Sequence, residues 1–362
     1  MIYTFFLDKS SLFFSLPLFR YLTFRTMAAF LTAFFISFFL GPFIIRWLKS
    51  QQKGGQPIRE DGPERHLLTK KGTPTMGGTL ILSALVGATL LWANLANPYV
   101  WWILWITLGM GAVGGWDDYL KLSRFNSKGV SARFKFMAQT FISLVAALWL
   151  MVLFPEGIRD TLTFPFFKNI SWHLGLFFPI FVSCVVVGTS NAVNLTDGLD
   201  GLAIGPLIIA TAVFCVIAYV VGNSIFSNYL QLPHVPGVGE LSVLCGALIG
   251  AGLGFLWYNA PPAMVFMGDT GSLAIGGFLG ALGVATKHEL VLAFVGGLFV
   301  MEALSVILQV VYYKSTRKRI FLMAPIHHHF EKKGWPETTI VFRFWTIAII
   351  LGVLGLATLK LR

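Results

Sequence analysis

Ten apolar segments, each long enough to span a lipid bilayer, constrain the fold of this chain more than any other feature of its sequence. They lie at residues 23–48, 75–95, 99–116, 132–154, 173–190, 201–221, 240–258, 271–286, 289–312 and 340–359. Because hydrocarbon offers no partner to backbone N–H and C=O groups, segments of about 20 apolar residues form helices. The sequence therefore predicts an all-α polytopic integral membrane protein with ten transmembrane helices.

The composition agrees with this class and argues against others. Hydrophobic residues make up 56% of the chain and charged residues 12%, which is half of the roughly 25% found in soluble domains. The net charge of +11 does not indicate nucleic-acid binding, because no nucleic-acid recognition motif accompanies it. Basic loops that face anionic membrane lipids explain the charge instead.

The distribution of lysine and arginine predicts the orientation of the chain. The loops after the first, third and ninth segments hold six, five and six basic residues, which is 17 of the 27 in the chain. Such loops face the cytoplasm, so both termini are expected to be periplasmic. Residues 1–22, interrupted by Asp8, Lys9 and Arg20, are expected to form an interfacial segment before a single ten-helix domain at 23–362.

Five aspartates fall in three short loops that this orientation places on the cytoplasmic side. Asp117 and Asp118 follow the third segment, Asp197 and Asp200 follow the fifth, and Asp269 precedes the eighth. Any one of them could cap a helix or stay solvated at the interface. Ionisable groups near hydrocarbon are costly, so five acids in glycine-bearing loops favour a bound cation. Mg²⁺ is the natural candidate, because it binds carboxylates, waters and phosphate oxygens, and the active site is expected at the cytoplasmic face.

Basic residues next to the first aspartate pair point to an anionic substrate. Lys121 lies four residues after Asp117, which by itself is an ordinary helical ion-pair spacing. However, Lys128, Arg133 and Lys135 follow in the same loop. A basic rim around carboxylates suits a phosphate that is held through a metal ion.

Three consecutive histidines, His327 to His329, form a second polar cluster in the sequence MAPIHHHFEKKGW. On a strand or on a helix they do not all converge on one zinc ion. Hydrogen bonding to a pyrophosphate or sugar, proton handling near neutral pH, or a solvated loop are the remaining interpretations. Glu302 and Gln309 share a face of the ninth segment, where they either bind substrate or link helices.

Six long motifs resemble those of a known family. They are DGPERH, KKGTPTMGG, GGWDDYLK, NAVNLTDGLDGLA, GFLWYNAPPAMVFMGDTGSLA and APIHHHFEKKGWPE, in this order between residues 59 and 337. With these motifs the chain closely resembles the phospho-N-acetylmuramoyl-pentapeptide transferases, a branch of the polyprenyl-phosphate N-acetylhexosamine-1-phosphate transferase superfamily. The histidine run separates this branch from relatives that use N-acetylglucosamine.

The resemblance implies a reaction, a cofactor and a location. Undecaprenyl phosphate attacks the sugar-linked phosphate of UDP-N-acetylmuramoyl-pentapeptide, giving lipid I and UMP in the first membrane step of peptidoglycan synthesis, with Mg²⁺ as cofactor. Such an enzyme would lie in the bacterial inner membrane, form a homodimer and bind nucleoside antibiotics. Direct attack is favoured over a two-step path through a phosphorylated aspartate, since the lipid phosphate is already largely ionised at neutral pH.

The resemblance also implies roles for individual residues. Asp117, Asp118 and Asp269 are expected to hold the metal ion and, with His327, to form the catalytic set. The expected substrate-binding residues are Lys70, Thr75, Lys121, Lys135, Asn194, Asp197, Asp200, Asn259, Phe266, Gln309 and His328. Among these, Phe266 is expected to stack on the uracil base in a pocket that includes Asp200 and Asn259.

Two other functions stay open at this point. A superfamily member that uses a different UDP-sugar would share the aspartates and would not need the histidine run. A secondary transporter would also use intramembrane acids and glycine-broken helices, but its site would lie near the bilayer midplane rather than at one face.

Overall fold

Helices account for nearly all regular structure in the residues that the computed structural model describes, which are 17–52, 55, 72–124, 129–165, 167 and 170–360. This part of the chain contains thirteen α-helices. In chain order they are α1 (Leu22–Gln51), α2 (Gly78–Trp92), α3 (Pro98–Ser123), α4 (Ala132–Leu153), α5 (Phe178–Thr196), α6 (Ile204–Val221), α7 (Ser224–Leu230), α8 (Leu241–Asn259), α9 (Gly268–Ala285), α10 (Glu289–Val295), α11 (Gly297–Thr316), α12 (Ile326–Lys332) and α13 (Glu337–Ala357). Most of the predicted interfacial segment 1–22 lies outside the described residues.

The longer helices coincide with the predicted apolar segments. Among the described residues, seven helical stretches are long and apolar enough to cross a membrane, namely α1, α4, α6, α11, α13, and α5 and α8 together with the turns that precede them. Helices α2, α3 and α9 also overlap predicted apolar segments, but they are shorter or more polar than these seven. A helical membrane architecture is therefore confirmed, while the count of ten spans and the periplasmic termini stay predictions.

Large apolar side chains cover the outside of the bundle. On α1, Phe39 and Phe43 are each 63% exposed, and on α11 Val311 is 62% exposed. Soluble monomers rarely present extended apolar faces of this kind, because exposing them to water is unfavourable. Contact with lipid acyl chains explains these surfaces.

Two features differ from the sequence-based expectation. The ninth apolar segment is not one helix, since α10 ends at Val295 and α11 begins at Gly297. The glycine pair at 296–297 has low helix propensity, which accounts for the break. Between α4 and α5 the chain forms a short antiparallel hairpin of β1 (Thr161–Thr163) and β2 (Ser171–His173). Strands of three residues are too short to produce a recognisable alternation of apolar and polar residues.

Glycines allow α9 to pack unusually close to its neighbours in the centre of the bundle. Residues 270–285 of this helix are all buried. A methyl group at Gly114 of α3 would lie 2.1 Å from the carbonyl oxygen of Asp269, and one at Gly78 of α2 would lie 2.1 Å from the backbone nitrogen of Gly271. Small residues at such crossings let helix backbones approach each other. The end of α3 is thereby brought against the start of α9.

A buried ion pair joins three segments at the opposite end of the bundle. Arg25 of α1 forms a bidentate hydrogen-bonded pair with Glu240, which precedes α8. Glu240 also accepts a hydrogen bond from the backbone nitrogen of Asn94 at 2.7 Å, and Arg25 donates to the carbonyl of Trp92 at 3.3 Å. Because both charged side chains are buried, the removal of either one would leave an uncompensated charge.

We expect Glu240→Ala to destabilise the protein by about 3–5 kcal/mol, because the Arg25 guanidinium would remain buried without its partner. Thermal unfolding of the purified protein in detergent measures the effect. Glu156→Ala is the matched control, since Glu156 is an exposed glutamate. Equal melting temperatures for the two variants would show that the ion pair does not contribute to stability.

We expect Gly114→Ala to destabilise the protein by about 1–3 kcal/mol, because the added methyl group overlaps the backbone of α9. The neighbouring Gly115→Ala is the control. Its methyl group would lie 3.6 Å from Thr270 Oγ1, which is an ordinary contact, and alanine has the higher helix propensity. Unfolding curves of both variants in detergent test the prediction, and a Gly114→Ala variant as stable as Gly115→Ala would contradict it.

Candidate active site

Three aspartates from two distant parts of the sequence meet where α3 ends and α9 begins. Asp117 and Asp118 lie on the last turns of α3, which extends past the apolar segment to Ser123, and Asp269 is the second residue of α9. One carboxylate oxygen of each lies within 4.8 Å of the others. Asp117 and Asp118 are buried, and Asp269 is partly buried. The predicted convergence of acids at the helix ends is present in the structure.

Asp118 holds the first turn of α9. Its Oδ2 accepts hydrogen bonds from the backbone nitrogen of Thr270 at 2.9 Å and from Thr270 Oγ1 at 2.7 Å. Its Oδ1 accepts from the backbone nitrogen of Asp269 at 3.2 Å. A carboxylate in this place satisfies amides that have no partner inside the helix and interacts favourably with the helix dipole. Asp118 therefore fixes the position of Asp269 in addition to contributing charge.

Two lysines balance the carboxylate charge. Lys121 Nζ lies 2.5 Å from Asp117 Oδ2 and 3.1 Å from Asp269 Oδ2. Lys135 Nζ lies 2.5 Å from Asp269 Oδ2 and 3.9 Å from Asp117 Oδ2. Like charges this close repel strongly in a medium of low dielectric constant, and the two ammonium groups offset that repulsion. Of the predicted basic residues, Lys121 and Lys135 thus contact the acids directly, and Lys128 lies outside the described residues.

Amide groups orient the remaining carboxylate oxygens. Asp117 Oδ1 accepts a hydrogen bond from the backbone nitrogen of Val130 at 2.8 Å, which fixes the loop after α3. Asn194, on the last turn of α5, donates from Nδ2 to Asp269 Oδ1 and to Ser272 Oγ, both at 2.8 Å. Because α3, α5 and α9 all contribute, the site depends on the packing of the bundle.

The donor set fits a hard divalent cation such as Mg²⁺. Mg²⁺ prefers oxygen ligands and commonly takes one or two carboxylates together with waters and phosphate oxygens. Asp117, Asp118 and Asp269 supply such oxygens within a small volume. Among the described residues, no histidine or cysteine joins this group, which is the donor chemistry expected for Mg²⁺ rather than for zinc.

Thr75 lies beside the carboxylates and is held through its backbone. Gln52 Oε1 accepts from the Thr75 nitrogen at 2.9 Å, and Gln52 Nε2 donates to the Thr75 carbonyl at 3.1 Å. A methyl group at Gly268 would lie 2.6 Å from both Thr75 Oγ1 and Asp118 Oδ2, so the hydroxyl and the carboxylate face the same glycine. The buried Oγ1 has no hydrogen-bond partner within the described residues, and it can therefore serve a ligand.

Asp200 and Asn259 form a second polar group with the loop that follows α8. Asp200 Oδ2 accepts from the backbone nitrogen of Ala263 at 3.0 Å. Asn259 accepts from the backbone nitrogen of Gly201 at 3.0 Å and donates to the carbonyl of Val265 at 2.9 Å. These bonds tie the loop after α5 to the loop after α8, as a shared pocket requires.

Phe266 and Asp197 lie at the edges of the same two loops. The backbone nitrogen of Phe266 donates to the carbonyl of Pro74 at 2.9 Å, and its carbonyl accepts from Gly77 at 2.8 Å. The segment that carries Thr75 is therefore attached to the loop that carries Phe266. Asp197 ends α5 as its C-terminal cap residue. Lys70, the remaining basic candidate, lies outside the described residues.

The histidine run forms a short helix, α12, which decides between the two conformations that the sequence left open. His327 is fully buried, and its Nδ1 lies 3.1 Å from Oε2 of Glu302, also fully buried, on α11. His328 is partly exposed and its Nδ1 lies 3.0 Å from Glu331 Oε2. The two rings are 4.1 Å apart, so both histidines belong to one cluster.

Gln309 binds the loop between α11 and α12. Its Oε1 accepts from the backbone nitrogens of Ile320 and Phe321, and its Nε2 donates to the carbonyl of Phe321. In this structure the side chain therefore shapes the loop that leads to the histidines.

Several contributors to the site were not identified from the sequence. Gln52 forms hydrogen bonds with Thr75, 23 residues away, and Thr270 with Asp118, 152 residues away. Both contacts involve backbone atoms, and no local sequence pattern reveals them. Thr270 directly follows Asp269 in GDTGS, which is the only hint that the sequence contains. The sequence singles out both Glu302 and His327 but does not reveal that they pair.

Comparison with known proteins shows which family this chain resembles. Residues 100–287 match the model of glycosyl transferase family 4, and residues 70–82 match signature 1 of phospho-N-acetylmuramoyl-pentapeptide-transferase. A phospho-N-acetylmuramoyl-pentapeptide-transferase of Granulibacter bethesdensis is 63% identical over 350 residues, 97% of each chain. Proteins of the same name from Gluconacetobacter diazotrophicus and Gluconobacter oxydans are 61% and 60% identical, over 96% and 95% of each chain.

The matched family model contains all three aspartates of the cluster, and the identity to these relatives extends over nearly the whole of both chains. The chain belongs to the phospho-N-acetylmuramoyl-pentapeptide-transferase family.

Proposed function

We propose that this chain transfers phospho-N-acetylmuramoyl-pentapeptide from UDP-N-acetylmuramoyl-pentapeptide to undecaprenyl phosphate, with lipid I and UMP as products. The convergence of Asp117, Asp118 and Asp269 with Lys121 and Lys135 carries the proposal. Phosphoryl transfer depends mainly on positioning and on neutralising phosphate charge, and this cluster supplies both. The name that the relatives share supports the same reaction.

The proposed reaction is the first membrane step of peptidoglycan synthesis and belongs in the bacterial inner membrane. One substrate is soluble and the other is a lipid, so a site at helix ends suits their encounter. The basic loops around the aspartates support a site at the cytoplasmic face. A homodimer and inhibition by nucleoside antibiotics enter the proposal through the family resemblance alone.

We assign Mg²⁺ to the carboxylate cluster. Asp269 and Asp117 are the proposed main ligands, because most of the hydrogen-bonding capacity of Asp118 is used at the start of α9. When bound, Mg²⁺ would neutralise charge on the phosphate oxygens of the substrates. Lys121 and Lys135 are proposed to bind phosphate oxygens of the two substrates, since their ammonium groups already lie at the cluster.

The proposed chemistry is a direct in-line attack by the lipid phosphate. Positioned ammonium groups stabilise the charge that spreads over the transferred phosphoryl group. Asn194 keeps Asp269 in place through its hydrogen bond to Oδ1. A carboxylate is needed at most as a base, because a phosphate monoester is already largely ionised at neutral pH.

The nucleotide is proposed to bind between the loops after α5 and α8. Asp200, Asn259 and Phe266 form the uridine pocket in this proposal, supported by the hydrogen bonds that join the two loops. The residues proposed to complete the substrate site are Lys70, Thr75, Asp197, Gln309 and His328. His327, which the resemblance places in the catalytic set, is also assigned to the substrate site in this proposal, because it does not join the carboxylate cluster. The buried hydroxyl of Thr75, without a partner in the described part of the chain, suits a contact to the nucleotide phosphates.

The two alternative functions receive less support. A relative that uses another UDP-sugar would not need the α12 histidines. A transporter site would lie near the middle of the helices, whereas the three aspartates lie at helix ends.

We expect Asp269→Asn to lower the rate of UMP release by at least about a hundredfold, because the substitution removes a charged metal ligand and the partner of both lysines. Purified protein is incubated with UDP-N-acetylmuramoyl-pentapeptide and undecaprenyl phosphate, and UMP is measured by chromatography. Asp160→Asn is the control, since Asp160 lies at the hairpin and contacts His173 and Gly175. Unchanged turnover in Asp269→Asn would refute the assignment of the cluster.

We expect that no phosphorylated enzyme accumulates when the lipid substrate is omitted, because direct attack needs no enzyme nucleophile. The protein is incubated with nucleotide substrate labelled at the sugar-linked phosphate, denatured in acid and analysed for bound label. Label that is retained by the native protein and lost in Asp117→Asn or Asp118→Asn would establish the two-step path instead.

A further inference from the structure

A fully buried carboxylate–imidazole pair connects α11 to α12. Glu302 Oε2 and His327 Nδ1 are 3.1 Å apart, and neither side chain is exposed. The two residues are 25 positions apart in sequence and lie on different helices. Their contact therefore helps to fix how α12 packs on α11. A carboxylate acts as a hydrogen-bond acceptor, and the proton of His327 is therefore held on Nδ1.

The outer atoms of this pair make no hydrogen bond to any of the described residues. His327 Nε2 and Glu302 Oε1 are both buried and unpaired within the described part of the chain. A buried polar atom without a partner destabilises the folded state, and its presence calls for a specific explanation. Stability of the fold does not explain the pair, because two apolar side chains in contact here would avoid the cost of burying unpaired polar atoms.

The imidazole ring lies directly behind the loop that follows α5. A methyl group at Gly198 would lie 2.2 Å from His327 Nε2 and 3.0 Å from Cε1. Only glycine leaves room for the ring at this position. Gly198 separates Asp197 from Leu199, and Asp200 and Gly201 of the same loop are tied to the residues after α8. The ring is therefore wedged against the backbone between the two aspartates.

We propose that Glu302 is a positioning residue for nucleotide binding, which acts by holding His327 against Gly198 and so keeps the loop 197–201 in its binding shape. The inference rests on the proposed function, because that function assigns Asp197 and Asp200 to the nucleotide site. The carboxylate cluster is built by α3, α5 and α9. Loss of the pair therefore affects binding of the nucleotide more than the chemical step.

The test compares Glu302→Leu with Glu302→Gln in steady-state kinetics. Leucine removes the acceptor for Nδ1–H, whereas the glutamine Oε1 still accepts this hydrogen bond. We expect Glu302→Leu to raise the KM for UDP-N-acetylmuramoyl-pentapeptide about tenfold, in keeping with the loss of one buried hydrogen bond. The kcat and the KM for undecaprenyl phosphate should stay within about threefold. Glu302→Gln should restore the nucleotide KM to within about threefold of the unmodified protein.

Glu289→Leu is the matched control, because Glu289 is likewise a buried glutamate and lies on the adjacent helix α10. Its substitution should leave the nucleotide KM unchanged. A fall in kcat without a change in nucleotide KM for Glu302→Leu would place His327 at the reacting centre and overturn the proposal. Equal rises in both substrates' KM values would indicate general misfolding and would overturn it as well.

Gly198→Ala probes the same contact from the opposite side and decides the question if Glu302→Leu does not fold. The added methyl group displaces the ring while Glu302 stays in place, so the nucleotide KM should again rise with little change in kcat. The double variant should show less than the product of the two single effects, because both act through one ring. A nucleotide KM unaffected by Gly198→Ala, or fully multiplicative effects, would contradict the proposal.

The activity of the unmodified protein distinguishes a failure of this inference from a failure of the proposed function. If it releases no UMP from the nucleotide and lipid substrates, the proposed function fails. If it turns over normally and Glu302→Leu keeps a normal nucleotide KM, the function stands and the positioning role is wrong.

Discussion

The close packing of α3 against α9 is the constraint on which the site depends. A methyl group at Gly114 would lie 2.1 Å from the carbonyl oxygen of Asp269, so the backbones meet without an intervening side chain. One turn later along α3, Asp117 and Asp118 reach the start of α9, and Asp118 then pairs with the amides of that first turn. Without hydrophobic driving force between helices in lipid, such small-residue contacts determine which helices associate. The packing of α3 against α9 therefore determines the geometry of the site.

Charge balance explains why so many polar groups gather at these helix ends. Three carboxylates within 4.8 Å of one another would repel strongly at low dielectric constant. Lys121 and Lys135 supply positive charge, the amides of α9 supply donors, and Asn194 adds a further hydrogen bond. Groups of this kind also bind phosphate and a divalent cation, so the interactions that stabilise the cluster are those that the proposed reaction would use.

The surroundings of the cluster show how loops are kept in place around it. Gln52 holds the backbone of Thr75, Asn259 holds Gly201, and Gln309 holds the loop before α12. Each of these amides bonds to backbone atoms and therefore controls the shape of a loop. The Glu302–His327 pair extends this pattern, because it presses a ring against a glycine of the loop 197–201. Residues first considered as substrate contacts, such as Gln309, thus have a structural role as well.

Sequence alone determined the membrane class, the positions of most of the long apolar helices, and the identity of the acids and lysines that meet, because apolar length and charge are local properties of the chain. It did not reveal the break at Gly296, the hairpin after α4, or the helical state of the histidine run, since each depends on packing around a short segment. Only the tertiary structure decided that Asp118 anchors α9, that Arg25 pairs with Glu240, and that Glu302 holds His327. The physical reason is that these contacts join residues between 25 and 215 positions apart, where periodicity carries no information and the approach of helix backbones selects the partner.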